Sequence, residues 1–203
     1  MKRRVGAWLA VLGISALVAT AIAQENGPLT SAERQRLVAG ELVRRPVARR
    51  EGAFQYLGGT SFLRIHASRE RVWADVIDPA NGPVLIPALD EARIVEEHGS
   101  TRIAYMQHRY AFVVAGYHAR VVVDQEAYTI RFDLDPTRPH DVRAGRGFIT
   151  VDRYRRRESM VTWGVMADPG AGILSGLLGP LLHDWILRVP ECVRDHVELG
   201  TGC

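Results

Sequence analysis

The sequence is poor in the residues that most often carry metal, redox or covalent chemistry. Its 203 residues include two cysteines, Cys192 and Cys203, both near the C-terminus. No Cys/His spacing matches a zinc site, and no serine or cysteine nucleophile has a plausible partner nearby. The sequence therefore favours neither a metal site nor a cofactor. In an exported protein an even pair of cysteines suggests a disulfide, and the alternative is a buried Cys192 with a free Cys203.

Lysine is almost absent, because Lys2 is the only one and arginine supplies the other cations. The formal net charge of +3 belongs to Lys2, Arg3 and Arg4: without them the 26 basic residues become 23, which equals the number of acidic residues. A balanced charge removes the main reason to expect nucleic acid as a partner. Arginine clusters are correspondingly weak evidence for any particular function.

Residues 1–23 have the pattern of a secretory signal peptide. A positive head precedes the mostly apolar run 5–20, and Ala21-Ile22-Ala23 has the small-x-small form of a signal-peptidase site. The apolar run is short for a transmembrane helix, and no cysteine for lipid attachment follows it. We expect export with cleavage near Ala23, which gives a periplasmic or secreted protein.

The spacing of apolar residues predicts an α+β protein. Thr30 and Glu33 have capping-box spacing for a short helix to about Val38, and the arginine-rich stretch 44–51 is expected to be extended or irregular. A strand at 62–66 and two short helices follow, the first capped by Ser68. Six more strands are expected at about 90–97, 101–114, 117–124, 127–135, 146–154 and 159–167. An apolar stripe predicts a long helix from Gly172 to the end, kinked at Pro190.

Two segments resemble the START-like helix-grip superfamily, which includes polyketide cyclases, lipid carriers and coenzyme-Q-binding proteins. "IHASRERVWADVID" (65–78) is similar to its entry motif, a strand ending in Ile-x-Ala before a Ser/Pro-x-Glu-x-Val-Trp helix, and "ILRVPECVRDHVE" (186–198) is similar to its closing helix. The resemblance covers 58–199 and implies seven antiparallel strands in a curved sheet around the long helix. Residues 24–57 are then an N-terminal extension with a short helix, and 200–203 a short tail.

A hairpin with its turn at Ala115-Gly116 would separate the two faces of the sheet. If Val114 opposes Tyr117, alternation predicts one inner face that carries aromatic and apolar side chains. Its candidate ligand-binding residues are His108, Tyr110, Phe112 and Tyr117, with Trp163 and Trp185 facing the same space. His108 is either a hydrogen-bonded core histidine, a polar contact for a ligand, or a weak candidate for acid/base catalysis.

The stretch "DLDPTRPHD" (133–141) is predicted to be a loop at the edge of the sheet that, by the resemblance, rims the mouth of a cavity. It is either a rigid turn whose carboxylates pair with arginines, a ligand head-group contact through Arg138, His140 or Arg143, or a metal site. Residues 172–187 begin at the same rim. They are either the sheet-facing side of a core helix or a lid that touches membrane transiently.

These features favour a monomeric carrier that encloses a hydrophobic small molecule, such as a lipid, a quinone or a polyketide-like compound. The alternative is a cofactor-independent cyclase/dehydratase-type enzyme that acts on a bound aromatic or polyketide-like substrate. A third possibility is a non-catalytic scaffold with a filled core. Cavity volume separates the third from the first two.

Overall fold

A computed structural model describes residues 27–110, 113–170 and 184–203, except for the side chain of Tyr110. Its helices are α1 (Ser31–Val38), α2 (Arg69–Ile77), α3 (Gly82–Leu85) and α4 (Val189–Leu199), with a short 3-10 helix at Pro79–Asn81. Its strands are β1 (Val43–Glu51), β2 (Phe54–Ile65), β3 (Leu89–His98), β4 (Thr101–Tyr110), β5 (Val113–Asp124), β6 (Thr129–Leu134), β7 (Ala144–Arg155) and β8 (Glu158–Asp168). Within this part of the chain, no helix is long and apolar enough to cross a membrane.

The described strands form one antiparallel sheet in the order β1-β2-β8-β7-β6-β5-β4-β3. The helix-grip prediction is confirmed, but the sheet has eight strands instead of seven. The additional strand is β1, in the arginine-rich stretch that was expected to be extended or irregular. β1 pairs with β2 along its whole length. It contains Pro46, which has no backbone N–H to donate, and an edge strand tolerates a proline because it has no second neighbouring strand.

Both predicted helix caps are present. Thr30 and Glu33 form a reciprocal capping box at the start of α1, and the Ser68 hydroxyl accepts from the Arg71 amide at the start of α2. Each cap satisfies amides that the first helical turn leaves without intrahelical partners. Helix α2 thereby presents Val72 and Trp73 to the core.

The C-terminal helix differs from the expected kinked helix. Residues 184–186 are helical, Leu187 and Arg188 are not, and α4 begins at Val189 with Pro190 in its first turn. Proline is compatible with a first turn, where its missing N–H would have no helical partner, so the helix restarts at this point instead of bending. Helix α4 packs against β2, β8 and α2. The expected start at Gly172 lies outside the described residues.

The β4–β5 pairing corrects the predicted hairpin. The observed register pairs Tyr110 with Val113 and His108 with Ala115, so no turn lies at Ala115-Gly116. Gly116 serves a different purpose: a Cβ at this position would lie 2.8 Å from the hydroxyl of Tyr105. The glycine therefore allows a close cross-strand approach in the middle of β5.

The observed register changes the predicted face of the sheet for some side chains and leaves it unchanged for others. Val114 was predicted on the inner face, but it lies on the outer face and is 44% exposed. The shift covers an even number of residues, so the alternation of the other side chains is unchanged. His108 and Tyr117 still share the inner face.

Candidate functional site

The inner face of the sheet encloses a cavity of about 530 Å³. Its sheet wall comes from β2 to β8, with Leu57 as the residue of β2, and the opposite side comes from residues 76–87 and 184–193. The segment Leu85-Ile86-Pro87 at the end of α3 forms part of that opposite side. A volume of this size lies within the range of about 300–1,000 Å³ that is usual for small-molecule sites. A filled core, the third possibility considered above, would leave no such space.

Most of the cavity lining is apolar, and its charged members already have partners. Four arginines and one aspartate on the lining form ion pairs, at the following N–O distances: Arg93–Glu91 3.0 Å, Arg102–Glu97 2.7 Å, Arg146–Glu51 3.0 Å, Arg188–Glu191 3.3 Å and Asp184–Arg44 3.5 Å. Asp78, the remaining charged residue of the described lining, caps the Pro79–Asn81 turn by accepting from the Ala80 amide. The cavity thus offers little uncompensated charge.

A histidine–tyrosine pair is the main polar feature of the apolar interior. The Nε2 atom of His108 lies 3.0 Å from the Tyr117 hydroxyl, and the two ring planes differ by 5°. The residues lie on neighbouring strands, β4 and β5, one step apart diagonally, because Met106 directly opposes Tyr117. Nδ1 of His108 is buried and makes no well-formed hydrogen bond. This nitrogen is a polar atom whose hydrogen-bonding capacity is unused.

Burial keeps both members of this pair uncharged. It lowers the pKa of His108 to about 4, although the Pro87 backbone acts in the opposite direction. Burial also raises the pKa of the Tyr117 phenol. Each shift has the same cause, the cost of placing a charge far from water. Around neutral pH the pair therefore consists of an imidazole and a phenol, without an ion.

The two predicted tryptophans face the same space. The Trp185 ring meets His108 edge-on, with ring centroids 6.3 Å apart. Trp163 stacks on Phe132 at 5.3 Å and donates from its indole N–H to the Ile186 carbonyl at 2.8 Å. This hydrogen bond ties β8 to the segment that precedes α4. His108, Tyr117, Trp163 and Trp185 thus all line the cavity.

Two other inner-face candidates cannot be placed. Phe112 lies outside the described residues, and so does the side chain of Tyr110, whose backbone closes β4. In contrast, the structure places several residues on the lining that sequence analysis did not select as ligand contacts, including Val113, Arg146 and the Leu85–Pro87 segment. The apolar run "VLI" (84–86) between Pro83 and Pro87 was a usable signal for that segment. Nothing in the sequence near Arg146 distinguishes it from the other arginines.

The three rim candidates do not line the cavity. Arg138 forms ion pairs with Glu96 and, at 3.2 Å, with Asp135. His140 contacts the Val142 carbonyl through Nδ1 at 2.7 Å. Arg143 pairs with the buried Asp168 at 3.3 Å and donates to the Ala53 carbonyl at 2.9 Å. All three side chains are therefore engaged in the protein's own structure.

The contacts of the 133–141 loop agree with the rigid-turn interpretation. Hydrogen bonds from Thr137, followed by the charge of Arg138, lower the pKa of Asp135. Asp141 and Gly116 exchange two hydrogen bonds of 2.8 Å, from amide to carbonyl and from amide to carboxylate. The loop is thereby fastened to β5. Among the residues that the structure describes, no cluster of three or more His, Cys, Asp or Glu side chains could hold a metal ion.

Comparisons with known proteins agree with this architecture. No family model matches the sequence, and no curated protein matches it significantly. Solved structures do match. A STAR-related lipid transfer protein from Xanthomonas axonopodis aligns with a TM-score of 0.59 at 12% identity, over 76% of this chain and 98% of that one. A START superfamily protein from Mycobacterium smegmatis also aligns at 0.59 and 12%, over 71% and 99%.

An aromatase/cyclase from Streptomyces sp. R1128 aligns with a TM-score of 0.55 at 12% identity, over 73% of this chain and 99% of that one. The chain has the START-like helix-grip fold. The resemblance inferred from residues 65–78 and 186–198 is thus confirmed at the level of the fold. A lipid transfer protein and an aromatase/cyclase both occur among the matched structures. The fold therefore does not distinguish a carrier from an enzyme, and that distinction depends on the residues of the site.

In this START-like fold the two cysteines lie at the C-terminal end. Cys192, in α4, and Cys203 form a disulfide with Cα atoms 4.9 Å apart. The Cys203 amide donates to the Val84 carbonyl at 3.0 Å, so the tail contacts α3. Residues that follow Val84 line the cavity. The disulfide therefore connects α4, through the tail, to the segment that covers one side of the site.

Proposed function

We propose that the protein is a carrier that holds a hydrophobic small molecule in the cavity between the sheet and the C-terminal helix, and that it does so after export. The observation that carries this proposal is the cavity of about 530 Å³ with an almost entirely apolar interior. Burying apolar surface stabilises a complex by about 25 cal/mol per Å². A ligand that fills such a space needs no cofactor and no covalent step.

The similarity to lipid-transfer and aromatase/cyclase structures supports a hydrophobic ligand, and it does not identify one. A lipid, a quinone or a polyketide-like compound would suit the lining. Transient contact with a membrane through residues 172–187 would give such a ligand a route into the cavity. Most of that segment lies outside the described residues, so this part of the proposal rests on its apolar sequence.

The enzyme alternative would depend on His108, since its pair with Tyr117 is the arrangement most able to move a proton inside the cavity. The lowered pKa of His108 makes the imidazole a weak base at neutral pH. The raised pKa of Tyr117 makes the phenol a weak acid. Both shifts favour a pair that binds a polar group over a pair that transfers protons.

A cavity-blocking variant tests the carrier proposal. Val121 lies on the inner face of β5 and lines the cavity, whereas its neighbour Val122 points to the outer face. We expect the wild type to bind the neutral fluorescent probe Nile red, Val121→Trp to lose most of this binding, and Val122→Trp to keep it. Circular dichroism and melting temperature establish that each variant is folded.

Two results would contradict the proposal. One is a wild-type protein that binds no Nile red. The other is a Val121→Trp variant that binds the probe as well as Val122→Trp does, because the probe would then occupy another surface. Native mass spectrometry of the purified protein adds an independent check: a carrier is expected to retain a co-purified hydrophobic molecule, and that mass should be absent from Val121→Trp.

A further inference from the structure

The hydrogen-bonding capacity of the His108–Tyr117 pair constrains the ligand. A neutral imidazole has one N–H and one acceptor nitrogen, and a phenol has one O–H and an oxygen that accepts. Their mutual hydrogen bond of 3.0 Å uses one of the two hydrogens. One donor and at least one acceptor therefore remain for other groups. Tyr117 lines the cavity, so a bound ligand is an available partner for its hydroxyl, whereas Nδ1 of His108 is buried.

The direction of the hydrogen bond decides what the Tyr117 oxygen still offers. If the phenol donates to Nε2, its oxygen can only accept a further hydrogen bond. If Nε2–H donates to the phenol, the phenol hydrogen is free to donate. A ligand hydroxyl fits both arrangements because it donates and accepts. A ketone fits only the second arrangement, and a hydrocarbon fits neither.

A hydroxyl suits either direction of this hydrogen bond. Nε2 of His108 faces the Tyr117 hydroxyl at 3.0 Å, and Nδ1 is buried and makes no well-formed hydrogen bond. The Tyr117 hydroxyl is therefore the polar contact that the pair presents to the cavity. When the phenol donates to Nε2, its oxygen accepts from a donor, which a ligand hydroxyl supplies and a ketone does not.

Charge argues against an acid at the same position. The pair carries no cation that could balance a carboxylate, and the arginines of the described lining are paired with Glu91, Glu97, Glu51 and Glu191. Transferring an unpaired carboxylate from water into an apolar site is strongly unfavourable. At the His108–Tyr117 pair a fatty acid would therefore have to bind in its protonated form.

We propose that the ligand is an uncharged amphipathic alcohol, whose hydroxyl hydrogen-bonds the His108–Tyr117 pair while its hydrocarbon part fills the apolar cavity. This inference rests on the proposed carrier function and adds a ligand class to it. Tyr117 is then a specificity-determining residue, and His108 orients its hydroxyl.

Competition within a matched series tests this inference. Dodecanol, dodecanone, dodecane and dodecanoate share one chain length and differ in their polar group. The displacement of Nile red by each compound is measured at pH 7.5 for three proteins. These are the wild type, the Tyr117→Phe variant, which loses only the hydroxyl, and the Tyr105→Phe variant as the control. Tyr105 is also on this hairpin, but it lies on the outer face, where its hydroxyl contacts Gln107 at 3.2 Å.

For the wild type and for Tyr105→Phe we expect dodecanol to bind roughly fivefold or more tightly than the other three compounds, the effect of about one net hydrogen bond. In Tyr117→Phe the preference over dodecane should disappear while Nile red binding persists. His108→Gln, which keeps a hydrogen-bonding side chain beside Tyr117, should retain part of the preference.

Several results overturn the inference and leave the carrier function standing. These are equal displacement of Nile red by dodecanol and dodecane, tighter binding of dodecanone or dodecanoate, and an alcohol preference that survives in Tyr117→Phe. A wild type that binds neither Nile red nor any compound of the series refutes the carrier function, and the inference with it.

Discussion

The buried imidazole of His108 should make the stability of the protein depend on pH in a narrow window. In the folded protein its pKa is about 4, against 6.5 for an ordinary histidine, because burial disfavours the charged ring. Between these values the unfolded chain binds a proton that the folded protein does not bind. Stability is therefore at its full value above pH 6.5 and falls as the pH decreases from 6.5 towards 4.

The magnitude follows from the two pKa values. Proton linkage with pKa values of 6.5 and about 4 predicts that lowering the pH from 7.5 to 5 reduces the free energy of unfolding by about 2 kcal/mol. The complete loss, reached below pH 4, is about 3 kcal/mol. The pKa of Glu33, lowered to about 2 chiefly by its hydrogen bond to Arg45, has its effect below pH 4.5 and hardly overlaps this window.

Urea denaturation between pH 7.5 and 5 measures this effect. His108→Gln does not titrate in this range and can keep a hydrogen bond to Tyr117, so its stability should decrease by about 2 kcal/mol less over the interval than that of the wild type. His98→Gln, a replacement at the exposed end of β3, should show the wild-type dependence. The comparison concerns slopes, so a uniform loss of stability in His108→Gln does not affect it.

Identical pH dependence in the wild type and His108→Gln would refute the reasoning. It would mean that the ring titrates alike in the folded and unfolded states, so that burial against the apolar wall does not lower the pKa of His108. NMR titration of the His108 ring supplies a direct test, because the ring should remain neutral at pH 5.

Three further predictions concern other parts of the chain. The exported protein should have the intact mass of a chain beginning near Gln24, and an uncleaved cytoplasmic chain would contradict this. Thiol titration after unfolding without reductant should find no free thiol, and replacing Cys192 and Cys203 by serine should lower stability by about 2–3 kcal/mol in the chain-entropy treatment; two free thiols would refute the pairing. Gly59→Ala should lower the free energy of unfolding by about 1–3 kcal/mol. The φ of Gly59 is +133°, and a Cβ there would lie 2.1 Å from the Arg45 carbonyl oxygen. Unchanged stability would refute this prediction.

Much of the fold could be predicted because its signals are local. The Thr30 and Ser68 caps depend on residues within one helical turn. Alternation along β4 and β5 put His108 and Tyr117 on one face even though the assumed turn was wrong. The closing helix could be recognised because its apolar stripe, including Val193 and Val197, repeats at helical spacing and packs into the core.

The parts that sequence analysis missed depend on contacts between distant residues. Ala115-Gly116 has the composition of a turn, but the space that Gly116 leaves is occupied by the Tyr105 side chain from the neighbouring strand. Stretch 44–51 shows little apolar alternation, and it becomes strand β1 because β2 offers it an edge. The residue pattern of a single segment predicts neither the contact with Tyr105 nor the pairing with β2.

The amino-acid sequence by itself determined the fold class and the chemical character of the inner face, because both follow from short-range spacing of apolar residues. The tertiary structure decided which polar groups remain available to a ligand. Arg138, His140 and Arg143 have contacts within the protein, some with partners far away in the sequence, such as Glu96, and they do not line the cavity. His108 meets Tyr117 inside the cavity only because the β4–β5 register places them diagonally, at hydrogen-bonding distance. Pairing between the two strands selects that register, and alternation within either strand alone does not encode it.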